Sequence, residues 1–249
     1  MNTFAPYDKR YPADLIKNDC KRLALLLLTA LTLTATAGAQ DMSVDAILEN
    51  LRASADSLSD ASFLLAGQLV DLDGSAVDLE IAVRVITDLN LARAEFIQPD
   101  ALADNFLIVD DEAVYNYLYL TNQVTILNAS DPDALGGLIE AGDAELAVDF
   151  STDLSELFDG WEAEVLGYDS SPVGNLYLLR FNNQDVITNV HYVEAQVVED
   201  AWTPYRLVFY EENGEVLADL TFRDFERNPG LDPADLRFIP GDAEVFDER

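Results

Sequence analysis

The sequence predicts a mainly β protein with some helix. Its core is a single curved antiparallel sheet of about eleven strands, covered by an N-terminal amphipathic helix and a short helical insert, with an apolar cavity between them. Three observations predict this. From Ser62 onward, apolar residues recur with a period of two over most of the chain. The runs are punctuated by turn pairs, Asp73-Gly74, Asp110-Asp111 and Asn213-Gly214. Ahead of them lies one stretch with helical spacing, Val44, Ile47, Leu48, Leu51, Ala55 and Leu58, whose polar residues Asp45, Glu49, Arg52 and Asp56 fall on the other side.

The N-terminus is set apart from this pattern. Lys21-Arg22 precedes the apolar run LALLLLTALTLTATA, which ends in Ala37-Gly38-Ala39-Gln40. A basic flank, a short apolar run and small residues at a cleavage position are those of a secretory signal peptide, here residues 1–39, cleaved after Ala39. The run is shorter than a membrane span requires. Cys20 precedes the run, so it is not the acylated Cys of a lipoprotein. Residues 40–249 then form one domain without cysteine, hence without a disulfide or a thiolate nucleophile.

The chain of 249 residues has 14 basic and 47 acidic side chains. Residues 1–39 hold five of the basic and three of the acidic ones, which leaves nine basic residues, all Arg, against 44 acidic. Such a field opposes binding to nucleic acid or to an anionic membrane face.

Taken in order, Ser43 caps a helix from Val44, with Asp45 in its first turn. Ser62–Leu72 and Ala76–Thr87 form a strand–turn–strand unit, in which Val77, Leu79, Ile81, Val83 and Val85 face one way. Leu91–Ile97 is the next strand and Pro99–Asn105 a loop. Phe106–Tyr119 reads as a hairpin with Tyr115, Tyr117 and Tyr119 alternating on one face, followed by the strand Gln123–Asn128. The insert at about 130–158 breaks the period-two pattern. Ser130-Asp131-Pro132-Asp133 caps a short helix carrying Leu135, Leu138 and Ile139, a lid over one face of the sheet, and Asp153–Phe158 is a second short helix. Strands resume at Trp161–Tyr168, Gly174–Phe181, Val190–Glu199, Tyr205–Tyr210 and Val216–Phe225, and the chain ends in a Pro-punctuated tail, Asn228–Arg249.

Catalytic patterns are missing from the sequence. There is one His, His191, and no GxSxG, P-loop or GxGxxG. Asp71-Leu72-Asp73-Gly74 lacks the later ligands of an EF-hand and reads as a turn, as does Asp110-Asp111-Glu112. The chain therefore reads as a non-enzyme without cofactor or metal. The tyrosine ladder carries two readings, cross-strand packing or the wall of an apolar cavity.

At this point the chain resembles the outer-membrane lipoprotein carrier protein family, LolA, and its wider superfamily of half-barrel lipid-binding proteins. Three segments carry the resemblance: Asp45–Ile86, the helix with its strand–DG–strand unit; Gln98–Leu127, QPDALADNFLIVDDEAVYNYLYLTNQVTIL; and Leu236–Asp247, LRFIPGDAEVFD, similar to the family's C-terminal Phe-x-Phe-x-Pro-Pro-x-Gly-x-x-Val pattern. Pro240-Gly241 stands where the family has Pro-Pro. The family's Arg-Pro pair after the third strand, whose Arg latches the lid, is missing from ITDLNLARAEF, although Arg84 and Arg93 are near.

The resemblance implies an incomplete, unclosed β-barrel with a hydrophobic cavity. It also implies a periplasmic, monomeric carrier of acylated lipoprotein or lipid, working between an inner-membrane transporter and an outer-membrane receptor. The alternative is the same fold used as an envelope interaction or stress-sensing module that binds a protein partner. By strand parity the cavity lining is expected to be Phe63, Leu65, Leu69, Leu79, Ile81, Val83, Phe106, Ile108, Tyr115, Tyr117, Val193, Val197, Leu220 and Phe222.

Overall fold

In the computed structural model, residues 42–70, 74–129, 140–141, 144–145, 153–183 and 190–249 are described, and all belong to the unit Met42–Arg249. The signal peptide, the lid residues Leu135, Leu138 and Ile139, and the turn residues Asp71–Asp73 lie outside the described residues.

The chain opens with helix α1, Val44–Asp56. Ser43 caps it as the sequence indicates, its hydroxyl accepting the Ala46 amide at 3.3 Å. Ile47 and Leu51 are fully buried, and Val44 and Leu48 half-buried on the same stripe. At the other end, the Arg227 guanidinium donates to the Ser54 carbonyl and hydroxyl, the Ser57 hydroxyl and the Ala201 carbonyl. A cation at the negative end of the helix dipole thus ties α1 to the sheet.

Strands β1 (Asp60–Val70) and β2 (Ala76–Ile86) pair antiparallel along their full length. A turn of 3-10 helix, Thr87–Leu89, leads to β3 (Leu91–Gln98), with Asn90 in the left-handed region at φ 43°. β4 (Phe106–Val109), β5 (Ala113–Leu118) and β6 (Gln123–Asn128) continue the meander. The described part of the insert holds two short paired strands, β7 (Glu140–Ala141) and β8 (Ala144–Glu145), and helix α2, Leu154–Leu157, within the expected second helix. β9 (Glu162–Ser171), β10 (Gly174–Asn182), β11 (Tyr192–Val198), β12 (Thr203–Tyr210) and β13 (Val216–Arg227) follow. The β12–β13 turn places Gly214 at φ 83°, a conformation glycine takes without strain. Helix α3 (Pro233–Leu236) and β14 (Glu244–Asp247) end the chain.

The main sheet has twelve strands in the order β14-β6-β5-β4-β3-β2-β1-β13-β12-β11-β10-β9. It is antiparallel except where β14 runs parallel to β6, and it is not closed: β14 and β9 are its two edges. The sequence-based count of about eleven strands omits β14, which the tail supplies. β1 and β13 join the two halves, with Leu65 opposite Phe222 and Gly67 opposite Leu220.

One face of this sheet carries α1 and α2. Ile47, Leu51, Leu154 and Phe158 pack there on Tyr177, Leu179, Phe181, Val193, Ala195, Val197 and Leu207. The other face, over β3–β6, carries the C-terminal segment: Leu236 is fully buried there against Phe106, Ile108, Tyr117 and Val124.

Candidate binding face

Pairing across the strands decides which residues share a face. Phe63 lies opposite Val83, Val83 opposite Ala94, Ala94 opposite Leu107, and Leu107 opposite Asn116. Across β13, Leu220 lies opposite Leu207, Leu207 opposite Ala195, and Phe209 opposite Val193. Residues directly opposite on neighbouring strands point the same way, so one apolar face runs from β5 through β1 to β10. This is the face on which the helices sit.

The face has two parts. Over β10–β12 it is the cluster under α1 and α2. Over β1–β5 and β13 it is a second buried cluster of Phe63, Leu65, Leu69, Leu79, Ile81, Val83, Ala94, Phe96, Leu107, Val114, Ala218 and Leu220. No described helix contributes to this second cluster. Half-buried Leu102, Ala129, Phe209, Phe222 and Phe225 pack against it, with Phe225 stacked on Phe63 at 5.5 Å.

Ten of the fourteen residues expected to line a cavity lie on this helix face. Phe63, Leu65, Leu69, Leu79, Ile81, Val83, Leu220 and Phe222 come together in the second cluster, and Val193 and Val197 lie under α1. The other four, Phe106, Ile108, Tyr115 and Tyr117, point to the opposite face. Ile108 pairs with Arg93 and Tyr115, and Phe106 with Tyr117, in the rows between Ala94, Leu107 and Asn116. Phe106 and Tyr117 stack at 4.4 Å beneath the C-terminal segment, and Tyr115 is half-buried beside them. Leu107, Val114, Ala94 and Phe96, which strand parity did not select, hold the corresponding places on the helix face.

Arg93 holds the C-terminal segment in place. It is 5% exposed, and its guanidinium lies over the Phe106 ring at 3.8 Å. Nη1 donates to the carbonyls of Leu236 at 3.2 Å and Phe238 at 2.7 Å, while Nε donates to Glu95 Oε1 at 2.7 Å. Arg84 bonds the same Glu95 oxygen at 2.8 Å. Both arginines near the missing Arg-Pro motif therefore serve the face opposite the helices. Asn122 adds two ties, donating from Nδ2 to the Asp242 carbonyl at 3.0 Å and accepting the Glu244 amide at 2.9 Å.

The polar groups form structural networks. His191 is exposed immediately before β11. Asp110 Oδ1 accepts the Glu112 and Ala113 amides, both at 3.2 Å, closing the turn between β4 and β5. Among the described residues no three His, Cys, Asp or Glu side chains are grouped to hold a metal ion. An open hollow beside Asp111, Glu112, Asn128, Asp247 and Arg249 is polar.

Glu199 accepts from the hydroxyls of Tyr168 and Tyr177 and from the Asn175 amide. These bonds lower its pKa, the Tyr168 bond most. The same bond, with desolvation, pushes the Tyr168 phenol up to about 12 from an ordinary 10.0. The protonated phenol is the bonded form, so this bond supports the fold below pH 10 and is lost as pH rises toward 12. In an ultraviolet titration, one tyrosine should ionise near 12, and Tyr168→Phe should remove that step. A titration unchanged by the substitution would contradict the assignment.

No protein-family model and no curated protein matches the chain in sequence. Solved structures do match. An uncharacterized conserved protein from Thermus thermophilus superposes with a TM-score of 0.59 at 24% identity, over 82% of this chain and 98% of that one. The likeness is one of fold. A LolA superfamily protein from Nitrosomonas europaea gives a TM-score of 0.37 at 13% identity, over 78% of this chain and 97% of that one. MucB gives 0.48 at 17% identity, over 81% of this chain and 64% of that one, and has also been solved in complex with MucA. No helix among the described residues is long and apolar enough to cross a membrane.

Proposed function

We propose that this chain is a non-catalytic, exported carrier that holds the acyl chain of a lipoprotein or lipid against the helix face of β1–β5. One observation carries the reading: a continuous buried cluster of apolar residues on the face of an unclosed sheet, to which no described helix contributes. Burial of each acyl CH₂ there is worth about 0.8 kcal/mol. A saturated chain of ordinary length thus gains on the order of 10 kcal/mol gross, set against displacing side chains such as Leu102 and Phe225 that pack on the face. Acyl binding of this kind needs no general base, nucleophile or metal. The strongly acidic surface keeps the protein off anionic lipid while the apolar face takes up the chain.

In this reading the protein works as a periplasmic monomer, receiving cargo from an inner-membrane transporter and passing it to an outer-membrane receptor. The lid role of Leu135, Leu138 and Ile139 belongs to the same proposal.

Titration with an environment-sensitive fluorescent fatty acid tests it. The expected result is saturable uptake at one chain per protein, displaced by a diacylated lipopeptide and not by the same peptide without acyl groups. Failure to take up the probe would reject the carrier reading in favour of a protein-binding module of the same fold.

A further inference from the structure

The sheet's β9 edge lies outside the β1–β5 face proposed for the acyl chain, at the far end of the strand order. β9 is ten residues long and pairs on one side with β10, from Glu162 opposite Asn182 to Ser171 opposite Gly174. Its other side pairs with no described strand. Val165, Leu166 and Tyr168 on it are 39%, 41% and 37% exposed. An open strand edge is a template for another strand, and proteins that must not use it place Lys, Pro or bulges there. β9 has no Lys or Pro. It has one bulge, a register shift that leaves Leu166 between Val165, opposite Leu179, and Gly167, opposite Leu178, and its pairing is regular on either side. The opposite edge of the sheet, β14, has only four residues.

The two faces of β9 differ. Val165 lies opposite Leu179, and Tyr168 opposite Tyr177, so both stand on the helix face. Glu164, opposite Arg180 and 3.8 Å from its guanidinium, and Asp169, opposite Leu176, stand on the other face and are exposed. A strand added to β9 would set its residues directly beside these. Apolar side chains at alternate positions would extend the helix face past Val165 and Tyr168. The positions between them would meet two carboxylates on a chain of net charge −33. A second copy of this chain fits badly, because two β9 strands side by side would set Glu164 and Asp169 against their own kind.

From this edge we infer that β9 is a docking site for an extended segment of a partner polypeptide, alternating apolar with basic residues, which joins the sheet by strand addition. The site is separate from the acyl-binding face, and its test contains no lipid.

The test uses a fluorescent decapeptide of alternating valine and lysine, read by anisotropy at physiological ionic strength. Its partner probe has the same sequence and charge but is N-methylated on the alternate residues whose amides would face β9. Strand addition predicts saturable binding, at least about tenfold weaker for the N-methylated peptide. It also predicts new hydrogen-exchange protection confined to 163–171. The variant E164K/D169K, which also removes the 3.8 Å Glu164–Arg180 pair, should lose the lysine peptide and gain an alternating valine–glutamate one. Equal affinity for the methylated and unmethylated peptides would overturn the proposal, because it would mean charge attraction alone. Protection outside β9, or a dimer of the free chain with 163–171 protected in it, would overturn it as well.

Discussion

Gly67→Ala is expected to lower the unfolding free energy by about 3 kcal/mol, the upper range for forcing atoms into a filled site. A Cβ at Gly67 would stand 1.8 Å from the backbone oxygen of Asp219, 2.8 Å from its carbonyl carbon and 3.0 Å from Leu220 Cα. All three are backbone atoms of β13, so no side chain can swing aside to make room. The β1–β13 pair would have to open at the point where the two halves of the sheet join. Gly167→Ala is the control, since a Cβ there meets nothing within 4 Å. Its effect on a urea unfolding curve should stay within about 0.5 kcal/mol. Equal stability of the two variants would contradict the close approach of β1 and β13.

Arg93→Met is expected to cost about 3 kcal/mol and to loosen the C-terminal segment before the rest of the sheet. Methionine keeps an apolar stem over Phe106 but leaves the Leu236 and Phe238 carbonyls without their donor, and Glu95 with Arg84 alone. Hydrogen exchange should therefore rise first at 231–247. Arg93→Lys keeps the charge but not the planar fork that reaches Glu95 and both carbonyls together, so it should recover only part of the loss. If exchange in the C-terminal segment were unchanged in Arg93→Met, some other contact would have to hold that segment.

The fold was legible where residues alternate cleanly. In β2 the apolar set Leu79, Ile81 and Val83 alternates with Asp78, Glu80 and Arg84, which fixes its inward face. The helix stripe Ile47–Leu51 was legible for the same reason. β4 gave no such signal: Phe106, Leu107 and Ile108 are all buried, because both faces of the sheet are covered there. Parity then has no polar reference, and Asn116 misleads, since it lies on the helix face opposite Leu107. The tyrosine hairpin thus packs under the C-terminal segment.

β14 was hidden for a different reason. Glu244, Val245, Phe246 and Asp247 are all exposed, so the strand rests on its parallel backbone pairing with β6 rather than on an apolar pattern. The role of Arg93 was out of reach as well, since its partners Leu236 and Phe238 are remote in sequence and bond through main-chain carbonyls.

An acyl chain bound as proposed lies on the helix face of β1–β5, and photolabelling reads its place: a fatty acid carrying a photoactivatable group near its methyl end is bound, irradiated, and its adducts mapped by mass spectrometry. The expected adducts fall on helix-face residues such as Phe63, Leu79, Val83 and Leu107, and are suppressed by excess unlabelled fatty acid. Adducts concentrated on Tyr115 and Tyr117, or labelling that competitor does not reduce, would contradict it.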